Sequence, residues 1–216
     1  MSGKIASILN ASPVISIVTV TEIGHAVPLA RALLRGGIRA VEITLRTAVA
    51  VDAIRAIASE VPDILLGAGT VLNARDLENA ARAGAAFAIS PGMTPALLSA
   101  AKNGPIPFLP GVATPSEIML ALESGFDHLK FFPASVFGGV DGLKAFAGPF
   151  PNVRFCPTGG ITVESAPRYL ALSNVLCVGG SWLTPASALA SGDWAQIERL
   201  AHQAATTLSK NRASGG

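Results

Sequence analysis

Short runs rich in β-branched and aromatic residues alternate with longer Ala- and Leu-rich stretches along the chain, eight times over. The runs occupy residues 14–20, 40–46, 64–70, 87–90, 107–111, 128–134, 153–159 and 175–181. Between them lie stretches of helical period such as 51–60, 74–83, 115–124 and 163–172. A helical piece precedes the first run, and a long helix over 193–210 follows the last. Gly36-Gly37, Gly84, Gly104 and Gly125 stand where helices would stop, and Pro95 and Pro115 where they would start. Strands that alternate with helices pair in parallel through right-handed crossovers. Eight such units predict a single compact (β/α)8 TIM barrel over residues 1–208, with an extra N-terminal helix and a disordered tail over 209–216. An open doubly wound sheet is the alternative. No Gly-x-Gly-x-x-Gly follows the first run, which argues against a dinucleotide cofactor.

Composition narrows the partners. The chain has 216 residues, half of them hydrophobic and only 14% charged, which suits one large core. A net charge of +2 and the lack of any basic run argue against nucleic acid and membrane surfaces. The uncharged stretch 83–101 contains Pro91, Gly92 and Pro95 and so cannot be one spanning helix. Asn10, Ser12 and Pro13 interrupt the apolar N-terminus, which therefore does not read as a signal peptide. Cys156 and Cys177 have neither metal nor disulfide-framework spacing and read as buried, reduced thiols of a cytoplasmic protein. His25, His128 and His202 show no metal-ligand spacing either, and His128 falls at a strand start, toward the barrel floor.

The sixth run holds the chemistry. Of the five lysines, only Lys130 falls inside an apolar, strand-like run. An ammonium there is costly unless it is paired or loses its proton, and a neutral amine is a nucleophile toward carbonyls. In the second run Glu42, Thr44 and Arg46 share one parity and Val41, Ile43 and Leu45 the other. The aliphatic set belongs under the helices, so the polar set points into the barrel. Lys130 shares its parity with His128 and Phe132 in the same way. A carboxylate, a guanidinium and a lysine thus converge at the carboxyl end, where barrels of this type carry their sites. The last two runs end in glycine pairs, Gly159-Gly160 and Gly179-Gly180, the second followed by Ser181. Glycine lets backbone N–H groups approach an oxyanion, so this end is read as a phosphate site.

Seven segments, in order and with matching spacing, resemble the 2-keto-3-deoxy-6-phosphogluconate aldolase family, which also cleaves 4-hydroxy-2-oxoglutarate. They are residues 41–47 (VEITLRT), 67–73 (GAGTVLN), 87–92 (FAISPG), 110–115 (PGVATP), 130–134 (KFFPA), 155–161 (FCPTGGI) and 178–182 (VGGSW). The resemblance implies a class I aldolase without metal or cofactor, with Lys130 as the Schiff-base lysine and Glu42 as general acid and base. It implies Arg46 on the substrate carboxylate, with Thr70, Pro91 and Phe132 lining the pyruvate end. Thr158, Gly159, Gly160, Gly180 and Ser181 would hold the distal hydroxyl and the phosphate. It further implies a small keto-acid phosphate as substrate and a homotrimer. Some relatives place an arginine near the end of the first strand, where this chain has Thr19-Val20-Thr21. Two other functions fit the residues less well. One is an aldolase for the galactonate-derived epimer, in which an apolar residue would stand in place of Thr158. The other is a non-catalytic sugar-phosphate-binding barrel, which would need the glycine pairs but not Lys130 with Glu42.

Overall fold

A computed structural model describes residues 2–212. Helix α1 (Ser2–Asn10) leads into strand β1 (Val14–Val18), and a 3-10 turn (Ile23–His25) precedes α2 (Ala26–Arg35). Then come β2 (Ala40–Thr44), α3 (Ala50–Glu60), β3 (Leu65–Gly69), α4 (Ala74–Arg82), β4 (Phe87–Ile89) and α5 (Pro95–Lys102). The middle of the chain forms β5 (Phe108–Leu109), β6 (Gly111–Val112), α6 (Pro115–Glu123), β7 (His128–Phe131) and α7 (Gly139–Ala147). It ends with β8 (Arg154–Pro157), α8 (Ala166–Leu170), β9 (Val178–Gly180), α9 (Ala186–Ser191) and α10 (Trp194–Arg212). Side-chain caps set several helix starts. Asn73 accepts from the Asp76 amide at α4, and Thr94 accepts from the Leu97 amide at α5. Thr114 and Glu117 form a reciprocal capping box at α6.

Every strand pairing is parallel. One sheet has the order β5-β4-β3-β2-β1-β9 and a second the order β6-β7-β8. Helix-facing residues such as Val41, Ile43, Leu129 and Phe131 join Ile54, Ile57 and Leu143 in one large apolar layer. A second apolar cluster gathers the opposite faces: Ile15, Ala40, Phe87, Leu109 and Cys156 meet Ile5, Ile8 and Leu9 of α1. Residues from both sheets share this cluster, so the parallel sheet is curled around a common interior that α1 covers at the amino ends of the strands. The result is an α/β fold with helices outside and strands inside.

Four local expectations are revised. The run at 107–111 is divided at Pro110 into β5 and β6, which pair in different sheets. Proline has no N–H to give a ladder, although its carbonyl still accepts from the Lys130 amide at 2.9 Å. The helix expected over 163–172 is the shorter α8, and α9 was not anticipated. The tail expected from residue 209 is helical as far as Arg212, and 213–216 lie outside the described residues.

Candidate active site

Alternation along two strands builds the centre of the site. Val41 and Ile43 belong to the helix-side layer, so Glu42 and Thr44 face inward from β2. Leu129 and Phe131 do the same on β7 and turn Lys130 inward. Glu42 is 2% exposed and Lys130 5%, and they are the two buried charged residues among those described. Lys130 Nζ lies 3.4 Å from Glu42 Oε1, across 88 residues of sequence. The Phe132 ring sits with its centroid 5.2 Å from the same nitrogen, within the range of a cation–π contact. Space for the carboxylate comes from Gly69 on the neighbouring strand: a Cβ there would collide with the Glu42 side chain.

The rim next to this pair is held by Arg46 and Thr70. Arg46 follows β2, is exposed, and donates from Nε to Thr70 Oγ1 at 3.0 Å. Thr70 has φ 58°, the one positive φ at a non-glycine residue among those described. That conformation is unfavourable for a β-branched residue and costs on the order of 1–3 kcal/mol, a strain found mostly where function or tight packing demands it. Thr44, two residues before Arg46, is fully buried and shares a 2.8 Å hydrogen bond with Thr19 at the end of the first strand.

A cavity of about 590 Å³ opens over these groups. Lys130, Phe132 and Arg46 line one side of it. Thr158, Gly159 and Gly160 line another, and Gly180 and Ser181 close the circle. Gly159 and Gly160 have φ of 97° and 72°, backbone that side chains rarely adopt, and so present bare main chain to the cavity. The Ala134 amide donates to the Thr158 carbonyl at 2.7 Å and the Ser135 amide to that of Gly159 at 3.1 Å, which ties the lysine strand to the glycine loop. Thr158 is 5% exposed, and its hydroxyl has only a long, 3.5 Å contact with the Cys156 carbonyl. That hydroxyl is available to a ligand.

The structure therefore gathers nine of the eleven residues singled out from the sequence around one cavity, counting Glu42 through its contact with Lys130. Thr70 joins through Arg46. Pro91 is not among the residues that line the cavity; its main chain lies against Gly111, where a Cβ would strike it. His128 pairs with Asp127 at 2.7 Å at the amino end of β7, on the floor side as expected. Sequence reasoning missed Ile17 and Thr19, and also Thr184 and Ala186 beyond β9. The parity rule used on β2 does not single out the first two, because the first strand carries a polar residue on each face, Ser16 with Val14 and Val18 and Thr19 with Ile15 and Ile17. Among the described residues, no three His, Cys, Asp or Glu side chains are grouped as metal ligands would be.

A family model described as KDPG and KHG aldolase matches residues 5–200. The KHG/KDPG aldolase of Escherichia coli K12 is 56% identical over 198 residues, covering 92% of this chain and 93% of the relative. The fold superposes with a TM-score of 0.91 on the KDPG aldolase of Legionella pneumophila, solved with pyruvate captured as a covalent carbinolamine intermediate. That protein is 46% identical, and the match covers 93% of this chain and 97% of that one. The aldolase of Zymomonas mobilis ZM4, solved with 3-phosphoglycerate, gives a TM-score of 0.90 at 46% identity, covering 95% and 96% of the two chains. With the matched model spanning the inward-facing lysine, its carboxylate partner and both glycine pairs, the chain belongs to the KDPG and KHG aldolase family.

Proposed function

We propose that this protein is a class I aldolase that cleaves 2-dehydro-3-deoxy-6-phosphogluconate to pyruvate and glyceraldehyde 3-phosphate. It also cleaves 4-hydroxy-2-oxoglutarate to pyruvate and glyoxylate. The observation that carries this reading is the buried contact between Lys130 and Glu42. The Lys130 amine adds to the 2-keto carbon, and the carbinolamine loses water to give an iminium. Glu42 takes the proton from the C4 hydroxyl; the C3–C4 bond breaks, its electrons pass into the iminium as an enamine, and the aldehyde leaves. Glu42 returns a proton to C3, and water hydrolyses the iminium to release pyruvate and the free amine. The covalent pyruvate in the Legionella relative is the kind of intermediate this sequence requires.

Arg46 offers a planar, two-pronged partner for the keto-acid carboxylate, with Thr70 orienting it and Phe132 as the apolar wall. Thr158 would meet the distal hydroxyl, and the main chain of Gly159, Gly160, Gly180 and Ser181 would hold the phosphate. The three-carbon phosphate in the Zymomonas relative supports a phosphate end of this kind.

We also infer that the two sheets are arcs of one closed eight-stranded barrel in a single domain. β5 and β6 are halves of one strand joined through Pro110, and β8 reaches the last strand by parallel pairings at Phe155–Val175 and Thr158–Gly179. Buried, reduced thiols at Cys156 and Cys177 support a cytoplasmic setting. Among the described residues no helix is long and apolar enough to cross a membrane.

The covalent step has a direct test. Borohydride added with pyruvate is expected to inactivate the enzyme and add one reduced pyruvyl group to the peptide carrying Lys130. Labelling at another lysine, or none with activity retained, would overturn the mechanism.

A further inference from the structure

A second cavity, of about 420 Å³, lies behind the glycine pair. Gly160 lines both cavities. Ser135 stands against it on the far side, where a Cβ on Gly160 would strike the hydroxyl. One wall is the start of α7, a nine-residue helix. Gly138 precedes it with φ 92°, and no side chain caps it. Among the described residues, the backbone N–H groups of Val140 and Asp141 meet no acceptor. A helix start of this kind combines open donors with a partial positive charge.

The facing wall comes from α8 and points to a ligand independently. Tyr169 is 5% exposed, yet its hydroxyl has no hydrogen-bond partner among the described residues. It is aimed at the first residue of α7: a Cβ on Gly139 would lie 3.1 Å from the phenol oxygen, and both residues line the cavity. The Tyr169 ring is buried, but its phenol oxygen opens into the cavity, where it is free to donate to whatever enters. Burial pushes the Tyr169 phenol up from its ordinary value, against a smaller opposing effect of Arg168, so the group is a proton donor at neutral pH. Arg168 itself lines the cavity and makes no ion pair among the described residues. The one carboxylate at the rim, Asp141, is largely exposed and turned to Lys144 at 3.8 Å. Ser165 already exchanges hydrogen bonds with Thr162, so it contributes little.

We propose that this cavity is a second oxyanion site, for phosphate or a phosphate monoester, back to back with the loop that faces the substrate. Its donors are the Val140 and Asp141 amides, the Tyr169 hydroxyl and the Arg168 guanidinium. The site does not depend on the aldolase reading.

Titration of isotope-labelled full-length protein with inorganic phosphate, followed by backbone amide resonances, tests it. The Val140 and Asp141 signals are expected to shift with one saturable dissociation constant. Arg168→Gln removes an exposed charge and should weaken that constant about tenfold or more; Tyr169→Phe removes only a hydroxyl and should weaken it about two- to tenfold. Neither variant should alter any response at Ser181. A parallel arm with glycerol phosphate separates the sources: tighter binding than phosphate assigns an ester, equal or weaker binding the free ion. No shift at Val140 and Asp141, or a constant unchanged in both variants, overturns the proposal. A response at Val140 and Asp141 with none at Ser181 would instead count against the substrate-phosphate reading and leave this one standing.

Discussion

At the contact between Lys130 and Glu42, two charges share a space from which water is largely excluded, so each depends on the other for compensation. Glu42→Gln keeps the shape and removes the proton acceptor. The expected outcome is a fall in kcat of about 10²–10⁴-fold with a modest change in KM, read by steady-state kinetics. Near-normal kcat would assign the proton transfer to another group or to water alone. Thr158 poses a question of specificity. Its buried hydroxyl lacks a strong partner within the protein and lines the cavity where we propose that the middle of a six-carbon substrate lies. A site that bonds a substrate hydroxyl discriminates against the epimer that misplaces it. Thr158→Val should lower kcat/KM for the gluconate-derived substrate by roughly 1–3 kcal/mol while the galactonate-derived epimer loses much less. Equal losses on both would give Thr158 a role in the loop or the phosphate instead. Both residues were legible in the sequence. Lys130 stood out as a charge in an apolar strand, and Glu42 followed from parity. Thr70's left-handed backbone was not legible, because nothing in a threonine announces a positive φ.

Strands place these groups, and the spacing between strands leaves little slack. β3 passes close to the Glu42 carboxylate, and it can do so because Gly69 has no side chain. Gly69→Ala would drive the carboxylate away from Lys130. Misplacement of a catalytic group by about 1 Å costs on the order of 10²-fold, so kcat should fall by about that factor with the chain still folded by circular dichroism. Unchanged kcat would mean that Glu42 has room to work from another rotamer. The alternation of strands and helices was visible because apolar runs and glycine stops recur at regular spacing. The break at Pro110 was not, since proline is tolerated at strand ends and edges and its position there depends on partners far along the chain. The short α9 had no legible signal either. Six residues of mixed small and apolar character, after a proline, carry too little periodicity to separate a helix from a loop.

For the whole molecule, the homotrimer implied by the sequence resemblance is an expectation on which the surface bears. Leu72, Met119 and Val136 are 58%, 56% and 74% exposed, large apolar groups that a monomer would leave in water. Sedimentation equilibrium at micromolar concentration should give the mass of three chains; the mass of one chain would overturn the trimer. The other end of the molecule is shut. Ile5, Ile8 and Leu9 of α1 pack with Ile15, Phe87 and Leu109 and fill the space at the amino ends of the strands. The cavity beside Lys130 therefore lies at the opposite end, where the strands finish. In the cleavage proposed above, the aldehyde half departs while the pyruvyl half is still bound to the lysine. Run in the direction of synthesis, the same chemistry reverses the queue: pyruvate must join the lysine before an aldehyde can add to it.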